Sequence, residues 1–173
     1  MRIRDQALAA VIAAFALGAS CDPVVSSKIA ALGGETPGVQ HGPKHRPGQP
    51  CTVCHDGTLG NPSEFSVAGT VYQEAAPAMP TGAANVEVTM TNVSDRKSFT
   101  ATTNAVGNFY VLPKQWTPVY PITVTMKSGA TTICMTSHVG REGSCAGCHV
   151  EPAGPGSPGR VTLATDLPNG GCP

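Results

Sequence analysis

The sequence contains little charge and few aromatic side chains. Only 13% of its 173 residues are charged, the formal net charge is zero, and aromatic residues make up 5%. Because binding to a nucleic-acid backbone needs clustered Lys and Arg, this composition excludes nucleic acid as the partner. With so few aromatic residues, a core has to come mainly from Val, Ala, Thr and Met, and a large apolar cofactor would add a great deal to it.

The sequence also lacks an apolar run long enough to cross a membrane. Arg2 and Arg4 precede an Ala-rich apolar stretch, which predicts an export signal over residues 1–20. Small residues and then Cys21 follow, in a pattern that looks like a bacterial lipoprotein signal, in which the cysteine is lipidated. We therefore expect an exported protein in the periplasm or at the cell surface, with a lipid anchor at Cys21 as its sole membrane attachment. Ordinary signal cleavage nearby is the alternative.

Glycine and proline are abundant near both ends of the chain. They predict irregular structure over residues 21–64 and 137–173, with at most a helical turn at 27–32 and one strand at 160–165. These two segments are therefore expected to lack the long helices that many proteins use to enclose a cofactor.

The middle of the chain, residues 65–136, has the period of strands. In about six short segments apolar and polar residues alternate; Val86, Val88 and Met90, for example, stand at every second position with polar residues between them. Gly107 lies between two of these segments and predicts a hairpin-like connection. The predicted fold is mainly β, an antiparallel β-sandwich flanked by irregular, Pro/Gly-rich segments.

This middle region resembles the carboxypeptidase regulatory-like family of transthyretin-type sandwiches. The similarity rests on three stretches, at residues 68–72 (AGTVY), 82–88 (GAANVEV) and 102–109 (TTNAVGNF). The resemblance implies a sandwich fold and a non-catalytic role. It implies no peptidase activity, because the His-x-x-Glu zinc motif of a carboxypeptidase is not in the sequence.

Two Cys-x-x-Cys-His motifs, at residues 51–55 (motif 1) and 145–149 (motif 2), carry the chemistry. Two thiols at this spacing form thioethers with the vinyl groups of one haem, and the adjacent His becomes the proximal iron ligand. The sequence therefore predicts an exported c-type cytochrome with two covalently attached haems. The predicted attachment and ligand residues are Cys51, Cys54 and His55 in motif 1, and Cys145, Cys148 and His149 in motif 2.

Zinc and disulfides are the alternatives for these cysteines. A zinc site gives no reason for a His directly after both Cys pairs, so we prefer haem. If Cys21 is lipidated, the two cysteines outside the motifs are Cys134 and Cys172, which we expect to form a disulfide in an oxidising compartment. Two unrelated free thiols are the alternative.

Three histidines remain as candidates for the two distal iron ligands. His45 lies six residues before motif 1 and His138 seven before motif 2, a parallel that predicts two bis-His haems. His41 competes with His45, and a methionine, Met79 or Met135, could replace either histidine. Basic side chains near the motifs are candidates for the haem propionates, although most such side chains are simply solvated. They are Lys44, Arg46 and Arg141.

The leading hypothesis for function is a dihaem electron-transfer relay that works outside the cytoplasm with other redox proteins or cytochromes as partners, and not an enzyme. Two alternatives stay open. One is a surface binding module in which the sandwich recognises a partner and the haems are secondary. The other is a haem sensor or enzyme in which one iron keeps an open coordination position.

Overall fold

The structure is a computed structural model. It describes residues 23–35, 38, 42–58, 63–74 and 80–164. The predicted signal peptide and Cys21, His41, Met79 and Cys172 lie outside the described residues. No helix within the described part of the chain is long and apolar enough to cross a lipid bilayer. The chain divides into two compact units, residues 1–33 and 34–173.

The described part of the first unit contains one helix, α1 (Pro23–Ala31). It is longer than the single turn that the sequence predicted at residues 27–32. Proline is favoured at the first helical position, because its missing N–H has no partner there in any case. Pro23 therefore marks the start of a helix, although the many prolines in this part of the sequence predicted irregular structure.

The second unit contains six strands in two antiparallel sheets, so the predicted mainly-β fold is confirmed. One sheet pairs the first strand with the fourth, and the other has the order third, second, fifth, sixth. The strands are β1 (Val67–Thr70), β2 (Glu87–Asn92), β3 (Ser98–Thr102), β4 (Asn108–Val111), β5 (Ile122–Ser128) and β6 (Thr131–Cys134).

The two sheets share one hydrophobic core. Val67 and Val111 from the two-stranded sheet pack in the same buried cluster as Val88, Met90 and Ile122 from the four-stranded sheet. Aliphatic side chains dominate this core, as the composition predicted. Packing of apolar faces from two antiparallel sheets is the arrangement of a β-sandwich.

The predicted hairpin around Gly107 is wrong. β3 pairs with β2 and β4 pairs with β1, so the turn between β3 and β4 carries the chain from one sheet to the other. The turn itself is tight, because Asn104 N–H donates to the Asn108 carbonyl at 2.9 Å and Gly107 adopts a φ of +80°. Local turn chemistry predicted the reversal correctly, and pairing with more distant strands decided where each arm goes.

The C-terminal segment of the chain pairs with the edge of β1 that β4 leaves free. Ala68 forms a parallel bridge with Ser144, and Tyr72, just beyond β1, forms another with Thr162. In the described residues the predicted strand at 160–165 is reduced to this single bridge. Motif 2 lies in the loop between the two bridges, so its position is fixed by the edge of the sandwich.

Candidate cofactor site

Both Cys-x-x-Cys-His motifs form the same turn. Each begins with one turn of 3-10 helix, Cys51–Val53 in motif 1 and Cys145–Gly147 in motif 2. The carbonyl of the first Cys accepts the backbone N–H of the second Cys at 3.2 Å in both motifs. It also accepts the N–H of the motif His, at 3.0 Å from His55 and 2.9 Å from His149. The turn therefore gathers two thiols and an imidazole on one short loop, as covalent haem attachment requires.

The two motif histidines are held in the same way. Nδ1 of His55 lies 2.7 Å from the Ser63 carbonyl, and Nδ1 of His149 lies 2.9 Å from the Gly159 carbonyl. Because a carbonyl oxygen only accepts, Nδ1 must carry the proton, which leaves the Nε2 lone pair of each ring for a metal. A backbone carbonyl behind the imidazole is a common arrangement around metal-ligating histidines.

The loop behind His149 is organised by the buried hydroxyl of Ser157. Its oxygen accepts the backbone N–H of Val150 at 2.9 Å and of Gly159 at 3.1 Å. Its single proton is shared between the Val150 and Cys148 carbonyls, at 2.7 and 2.8 Å. Ser157 thus holds Gly159 where its carbonyl meets the His149 ring.

The first cysteine of motif 2 packs directly on β1. A Cβ atom added at Gly69 would lie 2.6 Å from the Cys145 sulfur and 3.0 Å from the Phe109 ring. The neighbouring Ala68 N–H donates to the Gly143 carbonyl at 2.8 Å, which fixes the approach of this segment. Glycine is needed at residue 69 because a side chain there would occupy the place of the thiol.

The two motifs are neighbours although they lie far apart in the sequence. Glu142 Oε1 accepts a hydrogen bond from the Thr52 hydroxyl in motif 1 at 3.3 Å, and from the backbone N–H of Ser144, next to motif 2, at 2.9 Å. Burial raises the pKa of the Cys145 thiol to about 12, and the Cys51 thiol contributes further to this rise. Burial also raises the pKa of Cys51, to about 11. The first thiol of each motif is therefore neutral at physiological pH.

A cavity of about 230 Å³ adjoins motif 1. The thiols Cys51 and Cys54 line it together with His55 and with His45, the predicted distal ligand. The ring centroids of His45 and His55 are 5.8 Å apart, and Nδ1 of His45 contacts the Gly42 carbonyl, which leaves Nε2 of His45 available as well. Two thiols and two imidazoles at one cavity fit a bis-His haem attached at Cys51 and Cys54.

The segment that carries His45 is tied to the sandwich by a polar network. The Asn108 amide donates to the His45 carbonyl at 3.0 Å, and the Thr70 hydroxyl donates to the Asn108 side-chain oxygen at 2.7 Å. The Thr70 hydroxyl in turn accepts the Gly48 backbone N–H at 2.8 Å. Asn108 and Thr70 belong to β4 and β1, so the strands position the irregular segment that brings His45 to the cavity.

The predicted propionate partners lie in different surroundings. Arg46 lines the motif 1 cavity and forms an ion pair with Glu35 at 3.2 Å. Lys44 and Arg141 are exposed, and Arg141 lines a separate surface cleft beside Glu142. Of the three, Arg46 has the location that suits a propionate.

A second cavity, of about 210 Å³, adjoins motif 2. Cys145 and His149 line it together with Tyr72 and Arg160, and the Arg160 guanidinium lies over the Tyr72 ring at 5.7 Å. No Met and no second His belongs to the lining of this cavity among the described residues. Burial raises the pKa of Tyr72, so its hydroxyl keeps its proton and remains a hydrogen-bond donor.

The structure does not bring His138 or Met135 to either cavity. His138 is exposed, beside the position where Val139 bridges to Ile122 at the start of β5. Met135 follows β6 and is half-buried, and its N–H donates to the Val124 carbonyl at 2.9 Å. Ligation of the second iron by His138 stays a prediction.

No protein family, curated protein or solved structure matches the chain. The resemblance of residues 65–136 to the carboxypeptidase regulatory-like family therefore stays a prediction. So does the identification as a c-type cytochrome.

The described cysteines differ in their bonding, which bears on the disulfide and zinc predictions. Cys134 is disulfide-bonded, and the four motif cysteines are free, so the partner of Cys134 lies outside the described residues. Pairing with Cys172 stays a prediction. Within the described part of the chain, no three His, Cys, Asp or Glu side chains cluster as a metal site of their own. A haem iron needs fewer protein ligands, because the porphyrin supplies the rest.

Sequence reasoning missed several residues that build the site. Ser63 and Gly159 act through their backbone carbonyls, which no side-chain pattern reveals. Gly69 and Glu142 matter because of tertiary neighbours that the linear sequence does not indicate. The sequence did indicate that a tyrosine could pack on a porphyrin, but nothing in it distinguished Tyr72 from the other two tyrosines.

Proposed function

We propose that this protein is a dihaem c-type cytochrome that transfers single electrons outside the cytoplasm. The observation that carries the proposal is the motif 1 cavity, where the two thiols of a Cys-x-x-Cys-His turn meet two imidazoles with free Nε2 atoms. A bound haem would supply an iron that gains and loses one electron. Motif 2 repeats the turn and the carbonyl behind its histidine, which supports a second attachment site.

The chain contributes attachment, ligation and rigidity. Cys51, Cys54 and His55 would hold the first haem, and His45 would complete its iron coordination. Two histidines held in place would let a bound haem gain and lose an electron with little rearrangement of the protein. The hydrogen bonds from Asn108 and Thr70 fix the backbone around His45, so both ligands are in place before any electron arrives.

The closeness of the two motifs supports a relay role. Glu142 joins the two turns, and both motifs contact β1. Cofactors attached to neighbouring turns on a rigid sheet keep a fixed short separation, which suits electron exchange between them. An exported protein tethered by Cys21 would take electrons from one redox protein and pass them to another, without bond chemistry of its own.

The lining of the motif 2 cavity favours a second candidate function. Among the described residues that line it, His149 supplies the only imidazole, and the protonated Tyr72 hydroxyl is the kind of donor that stabilises a small ligand on an iron. On this alternative the second haem binds a diatomic gas, and the first haem alone transfers electrons. The exposed position of His138 favours this candidate, whereas ligation by His138 or His41 would exclude it.

One experiment tests both candidates. The full chain is expressed in a bacterium with c-type haem maturation, and its intact mass, pyridine haemochrome spectrum and CO-difference spectrum are recorded. Addition of two haem masses with low-spin bands and no CO binding supports the relay. CO binding by one haem in the unaltered protein supports the sensor, and a mass without haem contradicts both.

The variant His45→Ala then tests the first cavity. We expect one haem to become high-spin and to bind CO, because His45 lines the cavity of motif 1 and Nε2 of His45 has no other partner in the described contacts. His138→Ala is the matched variant, since His138 is an exposed histidine away from both cavities. A high-spin signal in His138→Ala would show that His138 ligates an iron, and an unchanged spectrum in His45→Ala would refute His45 as a ligand.

A further inference from the structure

Three aromatic rings stack in a row from motif 1 to the protein surface. The His55 ring lies parallel to the Phe65 ring, with centroids 4.0 Å apart and an interplanar angle of 12°. Phe65 stacks in turn on Tyr110, at 4.7 Å and 17°. His55 is buried, with 8% of its surface exposed, whereas 39% of Tyr110 is exposed. All three rings line the motif 1 cavity, so the row runs along the cavity wall from a buried histidine to a partly exposed tyrosine.

Backbone hydrogen bonds fix this row of rings. The Phe65 N–H donates to the His55 carbonyl at 3.0 Å, which holds Phe65 beside the motif. The next residue, Ser66, donates its N–H to the Val111 carbonyl of β4 at 2.8 Å, which sets the segment against the strand that carries Tyr110. Since each ring is tied to its neighbour through the main chain, the spacing does not depend on ring packing alone.

Tyr110 is the last ring of the row and stays partly exposed at the motif 1 cavity. Tyr110 alternates with the buried Phe109 and Val111, so it points away from the core of the sandwich. Stacked aromatic pairs stabilise a fold by about 0.5–1.5 kcal/mol beyond their burial. That contribution and the cavity wall account for the contact of Tyr110 with Phe65. The row also joins His55, one of the two rings expected to ligate the iron of motif 1, to a partly exposed ring.

We propose that Tyr110 is the surface end of the route by which the haem of motif 1 exchanges electrons with an external redox partner. The proposal rests on the proposed function, because the route needs an iron at His55. The partner is a one-electron carrier that presents an aromatic or porphyrin edge to the Tyr110 ring. With a haem bound, one electron would pass through these rings to the partner, which is reduced as the haem is oxidised, with no bond formed and no proton moved. Electron transfer weakens steeply with distance, and contacts between stacked rings keep each step short.

The first test measures the rate of electron transfer to tris(phenanthroline)cobalt(III), an oxidant whose ligands are flat aromatic rings. The reduced holoprotein and the oxidant are mixed in a stopped-flow instrument, and the two haems are followed as separate phases. We expect Tyr110→Leu and Phe65→Leu to slow one phase, and Tyr110→Phe, which keeps the ring, to leave both phases unchanged. Val119→Ala is the control at another exposed apolar residue and should change neither phase.

The second test does not depend on turnover. The redox-inert chromium(III) complex with the same ligands is paramagnetic and broadens NMR signals of the residues that it touches. We expect broadening centred on Tyr110 and its loss in Tyr110→Leu.

Three results would overturn the proposal. The first is an equal rate in Tyr110→Leu and the parent, and the second is NMR broadening centred elsewhere. The third is a slowed phase accompanied by a changed midpoint potential or haem spectrum, because Tyr110 would then act through the haem environment. Absence of covalent haem would instead refute the proposed function, and the mass spectrum distinguishes that failure before any rate is measured.

Discussion

The substitution Gly69→Ala probes the contact between β1 and motif 2. An added methyl group would lie 2.6 Å from the Cys145 sulfur, 2.8 Å from the Cys145 Cβ and 3.0 Å from the Phe109 ring, all inside the 3.4 Å at which ordinary contact begins. Phe109 belongs to the core, and with the proposed haem attached the Cys145 sulfur could not rotate away, so neither neighbour would yield easily. We expect motif 2 to be pushed from the edge of β1.

The expected cost follows from the crowding. Overpacking a well-filled core destabilises a protein by about 1–3 kcal/mol. For a chain of this size each kcal/mol lowers the melting temperature by about 2–4 °C, so a decrease of about 2–12 °C is expected. Gly140→Ala is the matched control, because a Cβ at residue 140 meets nothing within 4 Å and Gly140 has no positive φ.

Melting of the secreted holoproteins is followed by far-UV circular dichroism for the sandwich and by haem absorbance for the motifs. Replacing Gly by Ala at an unstrained site stabilises slightly, by about 0.4–1 kcal/mol, through the unfolded chain. Gly140→Ala should therefore melt at or above the temperature of the parent. Equal melting temperatures for Gly69→Ala and Gly140→Ala would refute the packing of Cys145 against β1.

Two further predictions concern hydrogen bonds. Ser157→Ala removes the hydroxyl that organises the loop behind His149. The Gly159 N–H then loses its partner and the Val150 N–H keeps only its 3.2 Å contact with the Cys148 carbonyl, so we expect a loss of about 1–3 kcal/mol in urea denaturation, against no change in the exposed control Ser98→Ala. Similar midpoints for the two variants would contradict this. The Asn92 amide, followed by the Lys97 backbone N–H, holds the pKa of Asp95 below its ordinary value of 3.8. The ionised Asp95 carboxylate stabilises the fold above pH 3.8, and this contribution is lost as the pH falls through the lower folded-state pKa. Asp95→Asn should therefore reduce the acid dependence of stability below pH 3.8, as measured by urea denaturation across that range. An identical acid dependence in the two proteins would show that the Asp95 turn contributes nothing.

The alternation of side chains was enough to predict the sheets. Val86, Val88 and Met90 are all buried because successive side chains of a strand point to opposite faces, and this period is visible in the sequence. The motif turns were also predictable, since a Cys-x-x-Cys-His sequence closes locally, with hydrogen bonds from the second Cys and the His to the first Cys. Both features depend on residues close together in the chain.

Features that depend on distant residues could not be predicted in this way. The sequence around Gly107 signals a tight turn, but whether its two arms pair with each other depends on β1 and β2, which compete for them across the sandwich. Similarly, the similar spacing of His45 and His138 before their motifs, six and seven residues, predicted equal roles. Only His45 lines a cavity, because Asn108 and Thr70 on the strands anchor the segment around it.

The sequence by itself therefore determined the turns of the two motifs, since a Cys-x-x-Cys-His sequence closes locally wherever it stands in the chain. Tertiary structure alone decided that the two turns are neighbours on β1, joined by Glu142, and that one of them connects to the surface through Phe65 and Tyr110. The physical reason is the separation along the chain between the residues that interact. Turn geometry and strand period arise from neighbours along the chain, whereas the contacts that bring residue 52 to residue 142 arise only when the sandwich has closed.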